Sequence, residues 1–177
     1  MLNKVVAYRI SPSSVRLSQE QTDLVVKGNE RICLSPNNTP PKFIHMNSNT
    51  IISGNDFPSN NQRLPIFSKI SLKCLGKDWE YNTVPVHISG EEEQEWIALQ
   101  FKQFTDALDL RASEYDEDDL YPNNVGYLHK IIFKRGLDLP PIFQIEETEG
   151  VFVTPETRLK WDMNNISGIR YYPVFMV

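Results

Sequence analysis

The chain has 177 residues and a mass of 20.5 kDa; 40% of the residues are hydrophobic and 23% are charged. This composition supports a packed core, and the length argues against a solenoid or a multidomain enzyme. The net charge of -5 and a pI of about 5.2 argue against direct binding to nucleic acid.

The N-terminus offers only the short apolar run Val5, Val6 and Ala7. That run is too short for the core of a signal peptide or for a membrane span. We therefore expect a single domain, residues 1–177, that stays in the cytoplasm and does not enter a membrane.

Short strands are predicted along the first third of the chain. Residues 3–10 are β-branched and aromatic, which is typical of a strand, and Asp23–Val26 favours a second one. The stretch 35–65 is rich in Ser, Asn and Pro and predicts a long irregular connection. Ser68 is placed to cap a short helix that ends near Leu75.

Two further strands are predicted in the middle of the chain. Residues 79–88 alternate between apolar and polar side chains, and Pro85 within them indicates a strand at the edge of a sheet. Residues 96–104 fit both a strand, with an alternating pattern, and a helix, with aromatic residues at helical spacing. We predict a strand followed by a turn.

Three strands are predicted between residues 127 and 153. Residues 127–134 form the first, which Arg135-Gly136 ends. Residues 142–146 and 151–153 form the other two, joined by a turn at Glu149-Gly150. These strands follow an acidic segment that we expect to be a loop.

The clearest local signal is Thr154-Pro155-Glu156. It combines a hydroxyl at the N-cap, proline at the first helical position and an acid favoured by the helix dipole, so it predicts a helix to about Met163. Gly168 then opens a final strand over residues 169–174. Together the elements predict an α+β fold: a mainly antiparallel sheet of short strands with a few short helices.

Negative charge is concentrated between residues 91 and 120. Eleven acids and two bases give this segment a net charge of -9, whereas residues 1–88 carry +4. An acidic block attracts basic partners, although most charge runs only keep a loop in water. Both interpretations stay open at this stage.

Sequence motifs of the common enzyme classes are missing. The chain has no phosphate-binding loop, dinucleotide fingerprint, zinc-protease helix, paired-cysteine motif or nucleophile elbow. Its histidines, His45, His87 and His129, are far apart in sequence. The sharpest enzymatic alternative pairs His129 with Asp109 or Glu114 as a hydrolytic base. We predict no enzymatic activity, no cofactor and no metal site.

Five short blocks in the second half of the chain form a recognisable pattern. They are DALDLRASEY (106–115), IIF (131–133), IFQI (142–145), FVTPE (152–156) and GIRYYPV (168–174). Together and in this order they resemble a bacterial immunity-protein family encoded beside polymorphic toxins, including type VI secretion effectors. The likeness extends from Asp56 onward and leaves residues 1–55 unassigned.

This resemblance implies a protein that binds a cognate secreted antibacterial toxin and neutralises it by stoichiometric occlusion. It supplies no catalytic residues, and the working surface is expected in loops that differ between family members. A nuclease is the toxin class whose basic surface an acidic inhibitor would complement. The alternatives are a small hydrolase or toxin-modifying enzyme, and a generic protein-interaction domain.

We place the toxin-binding surface on the acidic segment and its aromatic neighbours, because aromatic anchors inside a charged rim are typical of interfaces. Trp96 directly follows the first acidic run, and its strand alternation also fits a core residue, an alternative that stays open. The predicted partner-binding residues are Glu91, Glu92, Glu93, Trp96, Tyr115, Asp116, Glu117, Asp118, Asp119 and Tyr121.

Overall fold

The computed structural model describes residues 4–12, 34, 36–46, 51–52, 56–57, 59–60, 64–75, 81–90, 92–117 and 125–176. With 48% strand and 12% helix, the fold is α+β with β structure dominating, as predicted. The chain divides into two compact units. The first unit contains Met1–Ile10, Phe104–Arg158 and Tyr171–Val177, and the second contains Ser11–Gln103 and Leu159–Arg170. The expectation of a single domain stays a prediction.

A five-stranded sheet forms the framework of the first unit. Its strands are β1 (Lys4–Pro12), β10 (Ile132–Phe133), β11 (Ile142–Ile145), β12 (Thr148–Val153) and β13 (Ile169–Met176), in the order β10-β13-β1-β12-β11. β12 runs antiparallel to both of its neighbours, whereas β10 and β13 are parallel. The final strand is therefore present as predicted, and the sheet is mixed.

Three phenylalanines form the centre of the first unit's core. The ring centroids of Phe133, Phe143 and Phe152 lie 5.4–5.9 Å apart, within the range of favourable aromatic contacts. Each of the five family-like blocks supplies at least one residue to this core. These residues are Ala107, Leu108, Phe133, Phe143, Ile145, Phe152 and Val174. The pattern behind the resemblance is therefore a core pattern.

A separate hairpin of the first unit pairs β8 (Glu114–Glu117) with the antiparallel strand β9 (Val125–Lys130). The predicted strand over residues 127–134 is wrong as one element, because it divides at Ile131 into β9 and β10, which lie in different sheets. The Ser113 hydroxyl accepts from Ile132 N at 3.0 Å and donates to Ile132 O at 3.2 Å. The Ser113 side chain thus bonds both backbone groups of Ile132 at the break, and Asp109 N also donates to Ile132 O at 2.9 Å.

The turn between β11 and β12 differs from its prediction. It lies at residues 146–147, and Gly150 lies inside β12. A Cβ atom at Gly150 would come within 2.8 Å of Arg9 Nε, so any other residue there would require the flexible side chain of Arg9 to shift. The glycine that suggested a turn is therefore a strand residue beside the Arg9 side chain.

A four-stranded sheet forms the framework of the second unit. Its strands are β2 (Ile44–Met46), β5 (Ile66–Ser68), β6 (Tyr81–Ile88) and β7 (Trp96–Phe101), in the order β2-β6-β7-β5. β2 is parallel to β6, and the other neighbouring strands are antiparallel. The predicted strand and turn over residues 96–104 are confirmed. The strand predicted at residues 23–26 lies outside the described residues.

Short strands also occur where an irregular connection was predicted. Besides β2, the stretch 35–65 contains β3 (Ile51–Ile52), which pairs with β4 (Ser59–Asn60). These strands have two or three residues each. Such strands are too short to show the alternation from which strands are predicted.

The strand that contains Pro85 is an interior strand of the sheet and not an edge strand, although Pro85 itself lies where one flank of the strand is unpaired. It pairs with Ile97 of β7, while β2 on the other flank pairs with β6 only from Val86 onward. At position 85 the strand therefore has a single ladder neighbour. Proline is tolerated because the second neighbour begins one residue later.

Both predicted helices are confirmed. α1 (Lys69–Lys73) is capped by Ser68, whose hydroxyl accepts from Ser71 N at 3.3 Å. α2 (Pro155–Met163) follows Thr154, whose hydroxyl accepts from Thr157 N at 3.3 Å. Neither helix, nor any other within the described ranges, has the length and apolar character needed to cross a membrane.

Buried and polar contacts connect distant segments of the second unit. The indole of Trp161 is fully buried and donates to Ser71 O at 2.7 Å. The Asp56 carboxylate accepts from the hydroxyl of Ser68 and, at 2.9 Å, from the backbone N–H of Ser167. The cap of α1 is thereby joined to the segment that precedes β13.

Replacing Phe152 by Ala should lower the free energy of unfolding of the first unit by about 3–5 kcal/mol, because it removes the ring that contacts both other phenylalanines. Urea unfolding of the variant measures this loss. Tyr127→Ala is the control; the exposed Tyr127 should change stability by no more than about 0.5 kcal/mol. A loss below about 1 kcal/mol for Phe152→Ala would contradict this description of the core.

Candidate functional site

The β8–β9 hairpin presents an exposed cluster of aromatic and charged side chains. Tyr127 is 67% exposed, and its ring lies edge-on to that of His129, with centroids 5.0 Å apart. From β8, Asp116 Oδ2 lies 2.9 Å from His129 Nε2. On the inner side, Leu128 is buried against the aromatic core. The hairpin is therefore attached to the core by one face and free on the other.

Tyr115 and Glu114 precede Asp116 on β8, and Tyr115 lies on the side of the hairpin that Leu128 occupies, because register partners share a face. Tyr115 is 36% exposed and lies opposite Leu128, while Glu114 Oε1 accepts from Lys130 Nζ at 3.0 Å. Exposed ion pairs of this kind contribute little to stability because water screens them. They do order the charged side chains on the hairpin surface.

Part of the negative charge of the acidic segment is neutralised by basic residues from elsewhere in the chain. Lysines outside the segment pair with three of its acids: Lys69 with Glu95, Lys130 with Glu114, and Lys134 with Asp106. The remaining acids include Glu92 and Glu93, which are exposed and make no ion pair with any described residue. The acidic segment is thus a mixture of paired and unpaired carboxylates.

The structure does not pair His129 with Asp109 or Glu114, the two acids considered as partners of a hydrolytic base. Asp109 accepts from two backbone N–H groups of the turn that follows it, at 3.1 and 3.2 Å, and Glu114 binds Lys130. Asp116 is instead the acid beside His129. The register shifts within the hairpin place this neighbour, and those shifts were not predictable from the spacing of residues.

Trp96 is a core residue, so its prediction as a partner-binding residue is wrong. It is 3% exposed and packs in the second unit's core with Val86 and Ala98. Its strand is buried at every position except Ile97, which is partly exposed. No described residue accepts a hydrogen bond from the buried Trp96 Nε1.

The other predicted partner-binding residues fall into three groups. Asp116 is exposed on the hairpin with Tyr115, and Glu117 ends β8, so the predicted acidic loop begins as a strand. Glu92 and Glu93 are exposed in the second unit. The rest, Glu91, Asp118, Asp119 and Tyr121, lie outside the described residues.

A groove on the four-stranded sheet was missed by sequence reasoning. His45 of β2 and His87 of β6 are register partners, and both are exposed, whereas their neighbours in each strand are buried. The groove has a volume of about 600 Å³, and its lining also includes Pro85, Ile97 and Glu92. The only signal in the sequence is that each histidine stands between two apolar residues, in IHM and VHI.

The groove histidines have identifiable neighbours. His45 Nε2 lies 3.3 Å from Ser89 Oγ, and the His87 ring lies edge-on to Phe43 with centroids 6.5 Å apart. Nearby, Lys69 Nζ lies 2.8 Å from each carboxylate oxygen of Glu95. Within the described ranges, no three His, Cys, Asp or Glu side chains are grouped so that they could hold a metal ion.

No protein-family model matches the chain, and no curated protein matches it in sequence. The resemblance to immunity proteins therefore stays a prediction based on the five blocks.

The pKa of Glu95 should be measurably low, because the hydrogen bond from Lys69 and the charge of that lysine favour the carboxylate. A carboxyl group with a lowered pKa stabilises the fold above its unfolded pKa, and this contribution is lost as the pH falls through the folded pKa. An NMR titration should give a midpoint below the ordinary value of 4.5 for Glu95.

Lys69→Met should return that midpoint toward the ordinary value. Lys130→Met, which removes a lysine paired with Glu114, is the control and should leave it unchanged. An unaltered midpoint in Lys69→Met would show that the ion pair does not form in solution.

Proposed function

We propose that the protein is an immunity protein that binds one cognate antibacterial toxin in the cytoplasm and neutralises it by stoichiometric occlusion. The observation that carries this proposal is the exposed aromatic and acidic face of the β8–β9 hairpin, attached to a core that the family-like blocks build. The resemblance supports the function, and the hairpin offers a surface suited to a protein partner.

The position of the hairpin between the blocks supports its role as the variable surface. The first block ends at Tyr115 and the second begins at Ile131, so nearly the whole hairpin lies between two segments that build the core. A hairpin in this position can change its exposed residues without disturbing core packing. Recognition of one toxin and not another requires such freedom.

The chemistry of the hairpin face suits a basic protein surface. Tyrosines provide a large apolar contact with a polar hydroxyl, and they are enriched among residues that dominate binding energy. Acids around them accelerate encounter with a positively charged partner. A nuclease toxin, which needs Lys and Arg to hold phosphates, fits this description.

A small hydrolase is the second candidate, because the 2.9 Å contact between His129 and Asp116 has the form of a general base with its orienting acid. Both side chains are more than half exposed to solvent, at 51% and 67%. A binding surface accommodates such exposure without further structure, so the immunity function is favoured. The two functions differ in stoichiometry and in what happens to the toxin.

Titration of a cognate toxin domain, to be sought among the genes that neighbour this one, should reach full neutralisation near one equivalent of the protein. Toxin activity should return when the complex is dissociated, because binding alone inhibits it. A toxicity assay and the mass of the recovered toxin measure both outcomes. Covalently altered toxin, or full inhibition at strongly substoichiometric amounts, would establish the enzymatic alternative.

The same titration with hairpin variants locates the interface. Tyr127→Ala and Tyr115→Ala should each weaken binding by about 1–3 kcal/mol, or about 5- to 150-fold, since they remove the two solvent-accessible tyrosine side chains of the hairpin. Phe43→Ala, an exposed aromatic of the second unit, is the control. If Phe43→Ala weakens binding and the hairpin variants do not, the hairpin is not the interface.

A further inference from the structure

Two of the chain's three histidines meet on one sheet face although 41 residues separate them in the sequence. Neighbouring strands lie about 4.8 Å apart, and side chains of register partners in parallel strands point to the same side. The burial pattern shows that both histidines face solvent, because their strand neighbours Ile44, Met46, Val86 and Ile88 are all buried. Two imidazoles are therefore presented together to solvent.

We propose that His45 and His87 form a two-imidazole site for a divalent transition metal ion such as Zn²⁺. Imidazole nitrogen is a preferred ligand of zinc, copper and nickel, and it binds zinc at about 2.0–2.1 Å. Two nitrogens bound to one ion lie within about 4 Å of each other, which is close to the spacing of neighbouring strands. The site goes beyond the proposed immunity function and departs from the expectation of no metal site.

The surroundings of the pair are compatible with an ion. The groove is open to solvent, so water molecules can fill the coordination positions that the two imidazoles leave. Since the described residues hold no cluster of three ligands, the protein supplies two ligands and water the others. Glu92 lines the same groove and contributes negative charge, while the positive charge of Lys69, which also lines it, is paired with Glu95.

Metal binding requires only small rearrangements of these side chains. His45 must exchange its 3.3 Å contact with Ser89 Oγ, a long hydrogen bond, for the ion. His87 packs against Phe43 by an edge-on ring contact at 6.5 Å, and a turn of its exposed side chain leaves the sheet undisturbed. Neither change affects the buried residues beneath the groove.

Titration of the full-length protein with ZnCl₂, followed by calorimetry, tests the site. We expect one bound ion per chain, and NMR signals of both groove imidazoles should shift together. Even residues outside the ligand shell change metal affinity by about 10- to 100-fold, so His45→Gln and His87→Gln should each weaken binding by at least about tenfold.

His129→Gln is the matched control, because it removes the third histidine, which lies beside Asp116 on the hairpin. It should leave zinc affinity unchanged, and circular dichroism of all three variants should match that of the wild type. The site is overturned if wild-type protein binds no zinc, if either groove variant loses less than about twofold, or if His129→Gln weakens binding as much as they do.

Discussion

The contact between three phenylalanine rings determines the form of the first unit. Phe133 comes from β10 and Phe143 from β11, the two opposite edges of the five-stranded sheet. In a flat sheet these edges would be about 19 Å apart, yet the two ring centroids are 5.9 Å apart. The sheet must therefore coil around the rings, which follows the natural twist of strands and leaves the cluster inside.

This coiled core explains why the hairpin is available for binding. The rings, together with Ala107 and Leu108, fill the inside of the five-stranded sheet. The strands β8 and β9 are not part of that sheet and pair only with each other. Leu128 is its buried attachment, and the Ser113 hydroxyl holds the neighbouring segment at Ile132. The residues that we propose for toxin recognition are thus different from those that build the core, so substitutions on the proposed surface would leave the core intact.

Local signals predicted much of the fold, and contacts between distant residues account for the failures. Both helices follow from capping residues beside their first turn, Ser68 and Thr154. Gly150 predicted a turn but lies inside β12, where the side chain of Arg9, far away in sequence, passes close to it. For the candidate site, Tyr115 and Asp116 were correctly expected to be exposed. The meeting of His45 with His87 depends on strand pairing that no local pattern encodes.

The central claim is that the exposed face of the β8–β9 hairpin binds the toxin. Hydrogen exchange of backbone amides, measured for the protein alone and in complex with a toxin domain that it neutralises, tests this claim most directly. On binding, protection of backbone amides from exchange should increase most at Val125–Lys130 and Glu114–Glu117. Protection confined to β2 and β6, with the hairpin amides unchanged, would contradict it.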